Sequence, residues 1–508
     1  MASPRRARLG LLRRVRSLAI AAAGGLVAAL VSPPAGAGPL SGPVLDDGTT
    51  AELVDVLQLP ATAGSGGRAR INFLREAPDG SGRLFVNDLR GRLYALDAGT
   101  LHTYLDVAAT FPAFRDAPGL GTGFTSFAFH PGFATNGLFY TVHSEDVGGT
   151  PPTHGPAIPD AIAQHAVLTE WHATNPAANA FAGTRRELLR VAAVHVIHNL
   201  CELAFDPAAA PGSADYGLLY VAGGDNGARE IGSLGQVQRL DTLYGAVLRI
   251  DPLGGTGAPY SYGIPATNPF ANDGDPGTLG EIFAYGFRNA HRLAWDRAVP
   301  GRLFALDVGE HQLEEVNRLV AGRNYGWDAR EGTYVYDASS GGVAPLPAND
   351  AALGFTYPVA QYDHDEGIAI AGGVVDRSRA ASATYGKLVY GDIASGRLFY
   401  SDVLELLAAD DGDPATTAAV HELHVTQGGL PTTLLDVVRA KKGTPGLARV
   451  DLRFGEDLAG NLYVMTKQDG MLRRLVPEAR VPALPAWAFG ALALGLAAAA
   501  GTVGRRSA

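Results

Sequence analysis

The chain contains little cysteine and little charge. Its 508 residues include a single cysteine, Cys201, which excludes a framework of disulfides within one chain. Cys201 is predicted to be a small buried residue, and a nucleophile close to His198 is the alternative. Charged residues make up 18% of the chain, below the ordinary share, and the net charge is -10. This balance argues against nucleic acid as a partner, because phosphate binding requires basic patches.

Helical periodicity is also scarce. Between the two termini, one segment, residues 402–409, favours a helix. Glycine and proline are abundant, with 65 and 32 residues, and both are typical of chains with many turns. Many turns and few helical charge faces together predict an all-β protein.

The N-terminus has the pattern of an export signal. Six arginines lie within residues 5–16, an apolar segment covers residues 18–31, and Ala35-Gly36-Ala37 forms a cleavage site of the A-x-A type. Residues 1–37 are therefore predicted to be a signal peptide. An uncleaved anchor is the alternative.

The C-terminus has a second targeting pattern. An apolar run over residues 486–503 is barely long enough to span a bilayer, and Arg505 and Arg506 follow it. Residues 481–508 are predicted to be either a membrane anchor or a sorting tail that is cut and replaced by an anchor. Both interpretations predict an exported protein, periplasmic or at the cell surface, that is held at the membrane by this tail.

One phrase recurs between the two targeting segments: a turn with glycine or asparagine, a short apolar strand and a polar loop. Its six copies are GRLFVNDLRGRLYAL, NGLFYTVHSE, YGLLYVAGGD, GRLFALDVGE, GKLVYGDIASGRLFY and GNLYVMTKQDGMLRRL. Such repeats are typical of propeller blades, so residues 50–478 are predicted to form a six-bladed β-propeller with long decorating loops. Residues 146–184 have few strand signals and are predicted to be one such loop. A protein of two β-sandwiches is the alternative.

Two predicted strands bring His198 and Asp225 together. The first strand includes residues 203–205, the second includes residues 218–222, and a turn rich in Pro, Gly, Ser and Asp joins them. Antiparallel neighbours run back on each other, so His198 before the first strand and Asp225 after the second lie at one sheet edge. An imidazole held by a carboxylate is the arrangement of a general base near neutral pH. The alternative is a surface histidine and an aspartate that caps a turn.

Several segments of the chain resemble the soluble glucose/sorbosone dehydrogenase family. They are FAFHPGFATNGLFYTVHSE, HNLCELAF, LLYVAGGDNGA, GAVLRIDP, YGIPATNPF, EIFAYGFRNAHRLAWD, LDVGEHQLEEVNRLVAGRNYGW and YGKLVYGDIASGRLFY, and together they cover most of residues 70–475. The members of this family are six-bladed propellers that use pyrroloquinoline quinone (PQQ) and calcium to oxidise aldose sugars. The resemblance therefore implies the same fold, cofactors and activity.

The resemblance implies roles for residues at the reacting centre. His198 matches the catalytic base that takes the proton from the anomeric hydroxyl, and Asp225 matches the carboxylate that holds it. Arg288 and Asn289 match the pair beside the reactive quinone oxygen, where a guanidinium would stabilise developing negative charge. A salt bridge between blades is the alternative for Arg288.

The resemblance also implies a calcium site and a sugar site. Gly309 and Glu310 match positions whose backbone carbonyls hold calcium, an ion that suits oxygen ligands. Tyr325 and Trp327 fall where the family places aromatic residues near the sugar. Packing between blades is the alternative for both aromatic residues.

Cations are expected around the carboxylates of PQQ. Arg449 lies where the family has an arginine for this purpose, and Lys467 and Arg397 are placed to help or to be solvated loop charges. The chain departs from the family pattern at Gly121, where a glutamine is expected, and at Ala394, where a cofactor-binding lysine is expected. Glu310 also replaces a proline. Because of these departures, neither tight binding of PQQ nor glucose as the substrate is a safe prediction.

The function predicted from the sequence is PQQ- and calcium-dependent oxidation of an aldose sugar or related polyol to its lactone, with an unidentified electron acceptor. One alternative is a calcium-dependent hydrolase of the lactonase type, since the same fold hosts several chemistries. That enzyme would need Asp, Glu and Asn side chains that converge on calcium. The other alternative is a non-catalytic propeller that binds a glycan or a protein.

Overall fold

The chain is built from small β-sheets that follow one another along the sequence. The computed structural model describes residues 38–42, 44–62, 67–119, 121–154, 162–230, 232, 234–255, 261–378 and 382–477. The predicted signal peptide, residues 1–37, and the predicted tail, residues 481–508, lie outside the described residues. The first described strands are β1 (Val44–Leu45) and β2 (Thr50–Gln58).

The first three blades each contain four antiparallel strands. The second and third blades are separate sheets, whereas the strands of the first blade are continuous with the sheet that includes the fifth and sixth blades. The first blade contains β3 (Ile71–Glu76), β4 (Leu84–Asp88), β5 (Arg92–Asp97) and β6 (Thr100–Asp106). The second blade contains β7 (Phe124–Phe129), β8 (Leu138–Glu145), β9 (Gln164–Ala173) and β10 (Gly183–Ala193). The third blade contains β11 (Leu200–Ala204), β12 (Leu219–Gly223), β13 (Ala246–Ile250) and β14 (Ile282–Tyr285).

Three further blades complete the described chain. The fourth blade begins with β15 (Ala290–Trp295), β16 (Leu303–Asp307) and β17 (Leu313–Arg318). A small separate sheet follows, formed by β18 (Arg330–Glu331), β19 (Tyr334–Asp337) and β20 (Gly342–Pro345), before the fourth strand, β21 (Ala360–Asp363). The fifth blade contains β22 (Val374–Val375), β23 (Lys387–Gly391), β24 (Leu398–Asp402) and β25 (Val420–Gln427), with β26 (Leu430–Thr432) beside β25. The sixth blade contains β27 (Leu452–Glu456), β28 (Leu462–Thr466) and β29 (Met471–Pro477).

The blades close into a ring. Their first strands contact one another in the order β3, β7, β11, β15, β22 and β27, and β27 pairs with β3 in parallel. The N-terminal strand β2 completes the sixth blade by pairing antiparallel with β29. The expected six-bladed β-propeller is confirmed, and its last blade combines strands from the two ends of the described chain.

The recurring phrase of the sequence is the second strand of each blade. Its six copies form β4, β8, β12, β16, β23 and β28. Strands such as β12 and β28 are buried at every residue, because neighbouring blades cover both faces of each sheet. Continuous apolar runs therefore mark these strands, and the count of six copies gave the number of blades.

Helices are few and short in the described residues. They are α1 (Val107–Thr110), α2 (Phe133–Asn136), α3 (Val403–Ala408) and α4 (Leu434–Lys442), with 3₁₀ turns at Gln236–Gln238 and Asp350–Leu353. The helix expected over residues 402–409 is confirmed as α3, which Asp402 caps through its side chain. The sequence pattern does not predict α4, whose apolar side consists of Leu434, Val437 and Val438. Among the described residues, no helix is long and apolar enough to cross a membrane.

The prediction of a loop over residues 146–184 is wrong. Strand β9 and the start of β10 lie in this segment and pair along their length. Polar residues in β9 conceal it in the sequence, yet they are buried with partners inside the blade. Glu170, for example, accepts hydrogen bonds from Tyr140 at 3.1 Å and from Arg186 at 2.5 Å. Buried polar groups with satisfied hydrogen bonds remove the alternation on which a strand prediction depends.

Candidate functional site

The predicted site residues gather at one face of the ring. First and second strands of a blade are antiparallel, so the start of each first strand and the end of each second strand share a face, here called the upper face. The loops at this face carry His198, Asp225, Arg288, Asn289, Gly309, Glu310, Arg397, Arg449 and Lys467. The sequence order of the strands thus brings residues of four blades to one surface.

His198 and Asp225 form the predicted pair. His198 lies just before β11, Asp225 lies just after β12, and His198 Nδ1 is 2.8 Å from Asp225 Oδ1. Gly224 permits this approach, because a Cβ there would stand 2.7 Å from the His198 Cβ and 2.9 Å from the Arg288 carbonyl oxygen. The backbone N–H of Asp225 donates to that same carbonyl at 2.7 Å, which joins the third and fourth blades at the site.

Asp225 is a buried and well-anchored carboxylate. Its Oδ1 also accepts a hydrogen bond from the Gly227 N–H at 2.9 Å, and its Oδ2 accepts one from Trp327 Nε1 at 3.1 Å. Burial alone would raise the pKa of Asp225, but the charge and hydrogen bond of His198, the charge of Arg288 and the Gly227 N–H lower this pKa below its ordinary value. Asp225 therefore stays ionised and fixes the imidazole.

His198 is the accessible member of the pair. Its side chain is 13% exposed, compared with 1% for Asp225. Because Nδ1 faces an ionised acceptor, we assign the proton to Nδ1, and Nε2 keeps a lone pair. An imidazole in this tautomer can accept a proton at Nε2 and retain its hydrogen bond at Nδ1.

Arg288 lies beside this pair in a dense polar network. Its Nη1 donates to the carbonyls of Val308 at 3.0 Å and Gly309 at 2.6 Å, and its Nη2 forms an ion pair with Glu310. The guanidinium carbon lies 5.9 Å from the ring centroid of Trp327. Burial lowers the pKa of Arg288, but Glu310 and other carboxylates raise it above its ordinary value, so Arg288 stays cationic.

Two acidic residues that the sequence analysis did not single out hold this region in place. Asp307, at the end of β16, accepts hydrogen bonds from the backbone N–H groups of Arg288 at 3.0 Å and Asn289 at 2.5 Å. Oε1 of Glu331 accepts from four consecutive backbone N–H groups, residues 310–313, at 2.8 to 3.1 Å. Both acids act at long sequence separation, and no local motif marks them.

Gly309 and Glu310, the expected calcium ligands, are engaged with arginines. The Gly309 carbonyl accepts the hydrogen bond from Arg288. The Glu310 carboxylate pairs with Arg288 and Arg229, and these cations hold its pKa below the ordinary value against the effect of burial. Within the described ranges, no group of three or more His, Cys, Asp or Glu side chains is arranged to hold a metal ion.

The two aromatic residues expected near the sugar are both buried. Tyr325 stacks on Phe287 with ring centroids 4.4 Å apart, and its hydroxyl donates to the Arg318 carbonyl at 2.5 Å. Trp327 is 3% exposed, packs against Tyr336 and donates to Asp225. The packing alternative thus describes Tyr325, and Trp327 supports the carboxylate that orients His198.

The three predicted cofactor cations have different surroundings. Arg397 forms ion pairs with Glu366 and Glu422, and its hydrogen bonds to the Glu422 carboxylate contribute most to raising the pKa of Arg397. The Arg449 side chain is 45% exposed and pairs with Asp451. Lys467 is 6% exposed. Lys467 is therefore the buried cation of the three.

Further cations that the sequence analysis did not single out surround Lys467. Burial and the nearby Arg453 and Arg70 lower the pKa of Lys467 well below its ordinary value. Burial and neighbouring arginines also lower the pKa of Arg453 to about 9. His291 is buried beside them, and its Nε2 has no hydrogen-bond partner among the described residues. Positive charge therefore accumulates at the centre of the ring close to the upper face.

The departures from the family pattern also lie at this face. A Cβ on Gly121 would be 3.5 Å from the His198 backbone nitrogen, so the position expected to hold glutamine adjoins the base. The Ala394 carbonyl accepts a hydrogen bond from the Val450 N–H at 2.9 Å. Burial raises the pKa of the Cys201 thiol to about 12, which keeps it protonated and argues against the nucleophile alternative.

Comparison with known families decides where the chain belongs. The family model for glucose/sorbosone dehydrogenases matches residues 72–411, which is more than half of the chain. The chain belongs to the glucose/sorbosone dehydrogenase family.

Two curated plant proteins are similar to this chain. The HIPL2 protein of Arabidopsis thaliana is 27% identical over 371 residues, covering 63% of this chain and 50% of the relative. The HIPL1 protein of the same plant is 26% identical over 451 residues, covering 79% and 61% respectively. The chain thus spans about half to three-fifths of the length of these relatives.

Solved structures share the fold of this glucose/sorbosone dehydrogenase family member. The PQQ-bound aldose sugar dehydrogenase of Streptomyces coelicolor superposes with a TM-score of 0.52 at 22% identity, covering 85% of this chain and 99% of that chain. The soluble aldose sugar dehydrogenase of Escherichia coli, in its apo form, superposes with a TM-score of 0.56 at 19% identity, covering 85% and 100%. At these identities the similarity establishes the propeller fold.

Proposed function

We propose that the protein is a PQQ-dependent dehydrogenase that oxidises an aldose sugar to its lactone, or a related polyol to the corresponding carbonyl compound. The observation that carries this proposal is the His198–Asp225 pair, with its 2.8 Å hydrogen bond, at the upper face beside the buried Arg288. Membership of the glucose/sorbosone dehydrogenase family supports the reaction class. The Streptomyces coelicolor neighbour supports the cofactor.

The chain's own residues provide the proton chemistry. His198 Nε2 accepts the proton of the anomeric hydroxyl as the C1–H bond breaks, so the ring oxygen and C1 become part of a lactone. Asp225 stabilises the resulting imidazolium through the hydrogen bond at Nδ1. When bound, PQQ would supply the two-electron acceptor that the loss of the C1 hydride requires.

Arg288 contributes electrostatics in this proposal. It is buried at 9% exposure and stays cationic, so it can stabilise negative charge that develops close to His198. Glu310 already neutralises part of this charge. Arg288 therefore stabilises a developing negative charge most strongly when that charge replaces Glu310 as the partner of the guanidinium.

The centre of the ring fits an anionic cofactor. Lys467, Arg453 and Arg70 repel one another there, as the lowered pKa of Lys467 indicates, and His291 Nε2 is a buried polar atom without a described partner. Carboxylates of PQQ held by Lys467 and Arg453 would relieve this repulsion. Arg449 and Arg397 remain further candidates, though both already pair with carboxylates.

Calcium enters the proposal under a stated condition. Gly309 and Glu310 offer the oxygen ligands that calcium prefers. Arg288 occupies the Gly309 carbonyl and pairs with Glu310, so calcium can bind there only if the guanidinium releases these oxygens. The expected consequence is that calcium and PQQ bind cooperatively, since an anionic cofactor would draw Arg288 away.

The location of the protein is part of the proposal. We propose export by the N-terminal segment, residues 1–37, and attachment to the membrane by the C-terminal tail, residues 481–508. The electron acceptor would then be a component outside the cytoplasmic membrane. Fractionation of cells before and after removal of the tail tests both parts.

The purified full-length chain tests the chemistry. PQQ is titrated in excess calcium while tryptophan fluorescence is recorded, and a panel of aldoses and polyols is then added with an electron-accepting dye. The proposal expects saturable PQQ binding and sugar-dependent dye reduction that is lost in His198→Ala. Failure of PQQ to bind at micromolar concentrations would contradict the cofactor. Lactone hydrolysis without dye reduction would favour the hydrolase, and glycan binding without turnover would favour a non-catalytic propeller.

A further inference from the structure

A second cavity lies at the face of the ring opposite to His198. It encloses about 430 Å³ at the ends of the first strands. Each blade contributes at least one residue of its first strand to the wall, for example Phe73, Phe129, Ala204, Trp295, Val374 and Phe454. A cavity of this size is large enough for a small organic ligand.

This cavity is separate from the proposed reaction site. His198 precedes the first residue of β11, and Ala204 in the cavity wall is the last residue of the same strand. Strands rise about 3.3 Å per residue, so the cavity lies roughly 15–20 Å below His198. A ligand in the cavity therefore does not touch the His198–Asp225 pair.

Aromatic residues line several sides of the cavity. Phe73, Phe129, Phe205, Tyr216 and Trp295 all line it. Trp295 packs edge-on against Tyr220 with ring centroids 5.1 Å apart, and Phe205 packs against Tyr140 at 5.7 Å, so these walls are rigid. Rigid aromatic walls favour a flat or ring-shaped apolar ligand.

The inner end of the cavity carries a surplus of positive charge. Arg75 and Arg292 both favour the ionised form of one carboxylate, Glu202, through their charge. Of these two arginines, Arg75 donates to Glu202, from Nη2 at 2.7 Å, and the Leu293 N–H donates to it at 2.6 Å. Arg292 donates to the His291 carbonyl at 2.7 Å and to Asn72 Oδ1 at 3.1 Å. Arg292 is 4% exposed, and burial and Arg75 lower its pKa to about 10. A buried guanidinium, Arg292, and a half-buried one, Arg75, with one carboxylate leave one positive charge to be balanced.

Unused hydrogen-bond donors belong to the same inner end. Among the described residues, Arg75 Nη1, Arg292 Nε and Trp295 Nε1 are buried without an acceptor. The carboxylates at this end are already used, because Glu202 accepts two hydrogen bonds and Glu456 pairs with Arg297 at 3.0 Å. A ligand that carries acceptors therefore fits better than one that carries donors.

The rim of the cavity limits the charge of the ligand. Glu76, Asp206 and Asp457 lie at the rim, and each accepts a backbone hydrogen bond: from Leu458, from Ala208 and from Asn461 respectively, each at 2.8 Å. These carboxylates would repel a second negative charge placed near the opening. We propose that the cavity binds a monoanionic, ring-containing carboxylate, with the carboxylate against Arg75 and Arg292 and the ring against the aromatic walls.

Fluorine NMR on the full-length chain tests this proposal. The probes are a fluorinated benzoate, its uncharged benzamide and its dianionic phthalate, each titrated at the same ionic strength. The benzoate is expected to bind, and the benzamide and the phthalate are expected to bind about tenfold more weakly or worse, since each hydrogen bond to a charged group is worth about 1.5–3 kcal/mol. Equal binding of benzoate and benzamide, or no binding of any probe, overturns the proposal.

Two variants with opposite expected effects on benzoate affinity show whether binding occurs in this cavity. Arg75→Met removes the surplus charge and should weaken benzoate binding about tenfold or more, whereas Glu202→Gln increases the surplus and should strengthen it. A folding defect would weaken binding in both, so strengthening in Glu202→Gln cannot arise that way. Weaker binding in Glu202→Gln or unchanged binding in Arg75→Met overturns the proposal.

Arg302→Met is the matched control. Arg302 and Arg377 share one carboxylate, Asp296, and the Arg302 side chain is 22% exposed, close to the 21% of Arg75. Arg302 does not line the cavity. The control should therefore leave benzoate affinity unchanged, and a loss in the control equal to that in Arg75→Met overturns the assignment to this cavity.

Discussion

His198 adopts a backbone conformation that non-glycine residues rarely use. Its φ is +54°, and the nearby Asn226 has a φ of +58°. Left-handed backbone at such residues costs roughly 1–2 kcal/mol each. The Asn226 N–H donates to the His198 carbonyl at 3.1 Å, which links the two strained positions. The strained backbone thus lies at the residues that orient the imidazole, and such strain is typical of functional sites.

Asp225→Asn should reduce turnover about hundredfold or more while PQQ affinity changes little. The carbonyl oxygen of asparagine would take the Oδ1 position, where Gly227 and His198 Nδ1 donate, and its N–H₂ would oppose Trp327 Nε1. A neutral amide stabilises the imidazolium much less than a carboxylate does, so His198 becomes a weaker base. Dye-reduction kinetics of the PQQ-loaded variant measure the effect. Wild-type turnover in this variant would contradict the role of Asp225.

Trp327→Phe should shift the pH dependence of kcat/KM. The change removes the hydrogen bond from Nε1 to Asp225 Oδ2, and a less solvated carboxylate stabilises the imidazolium more strongly. The acidic limb of the pH–rate profile should therefore move to higher pH, with a lower kcat from poorer orientation.

Trp171→Phe is the control for this experiment. Trp171 is 1% exposed and its Nε1 donates to Thr141 at 2.8 Å, so the same chemical change is made away from the site. Both variants should lose similar stability, but only Trp327→Phe should shift the profile. Identical profiles for all three proteins would show that Trp327 has a packing role alone.

Glu315 makes stability depend on pH. Burial, with the nearby Glu331 and Glu314, raises its pKa from 4.5 to about 7, against the hydrogen bonds from Asn317 and Gly332. Between these pH values the folded state binds the proton more tightly than the unfolded state. The contribution to the free energy of unfolding is therefore present below pH 4.5 and is lost as the pH rises through about 7.

Glu315→Gln should remove this loss. Denaturant unfolding of the wild type should show stability that falls between pH 5 and pH 8, roughly the window set by the raised pKa, and the variant should show a flatter dependence. Glu405→Gln, at an exposed position of α3, should keep the wild-type slope. Equal slopes in wild type and Glu315→Gln would refute a raised pKa.

At the scale of the element, strand β2 completes the sixth blade against β29 and also pairs in parallel with β25 of the fifth blade. Leu53 of β2 is 2% exposed and packs with residues of the fifth and sixth blades, such as Leu423, Phe454 and Leu475. Leu53→Ala should lower the free energy of unfolding by about 2–5 kcal/mol, because a buried leucine is replaced by a cavity. Val54, on the other face at 40% exposure, gives the control Val54→Ala, which should change stability little.

The shape of the unfolding curve gives further information. If β2 closes the ring cooperatively, Leu53→Ala should keep a single transition that moves to lower denaturant. A separate early transition in the variant would indicate that the sixth blade opens independently of the other five.

The elements that the sequence predicts are those with continuous apolar runs. Strands such as β12 and β28 are buried on both faces, so their runs survive in the sequence and the count of blades follows. Strand β9 is also buried, but its polar residues give it the sequence pattern expected of a loop. The pairing of β2 with β29 joins distant parts of the chain, and no local pattern encodes such a partner.

The same distinction applies to the site. His198 and Asp225 could be paired from sequence because two adjacent antiparallel strands fix their positions. Trp327 and Glu331 could not be found as supports, since each reaches its partner from another part of the chain and no motif shows which polar atoms will be buried. Motifs predicted the residues that we propose for the chemistry, and tertiary packing supplied those that hold them.

At the scale of the whole molecule, buried cations lie near both ends of the ring. The upper face combines His198 with the buried cations Lys467 and Arg453. The opposite cavity combines aromatic walls with Arg75 and Arg292. The two sites lie at the ends of the same first strands, which allows each to be altered without direct contact with the other.

The most direct test of the account is a rapid-mixing measurement on the PQQ-loaded protein. The sugar that reduces the dye fastest is mixed with wild type and with His198→Ala, once with hydrogen and once with deuterium at C1, and reduction of bound PQQ is followed by absorbance. The account predicts slower reduction with deuterium in wild type and almost no reduction in His198→Ala. Reduction at an equal rate in both proteins, or a rate unaffected by deuterium in a step that is limited by chemistry, would contradict removal of a hydride from C1 with His198 as the base.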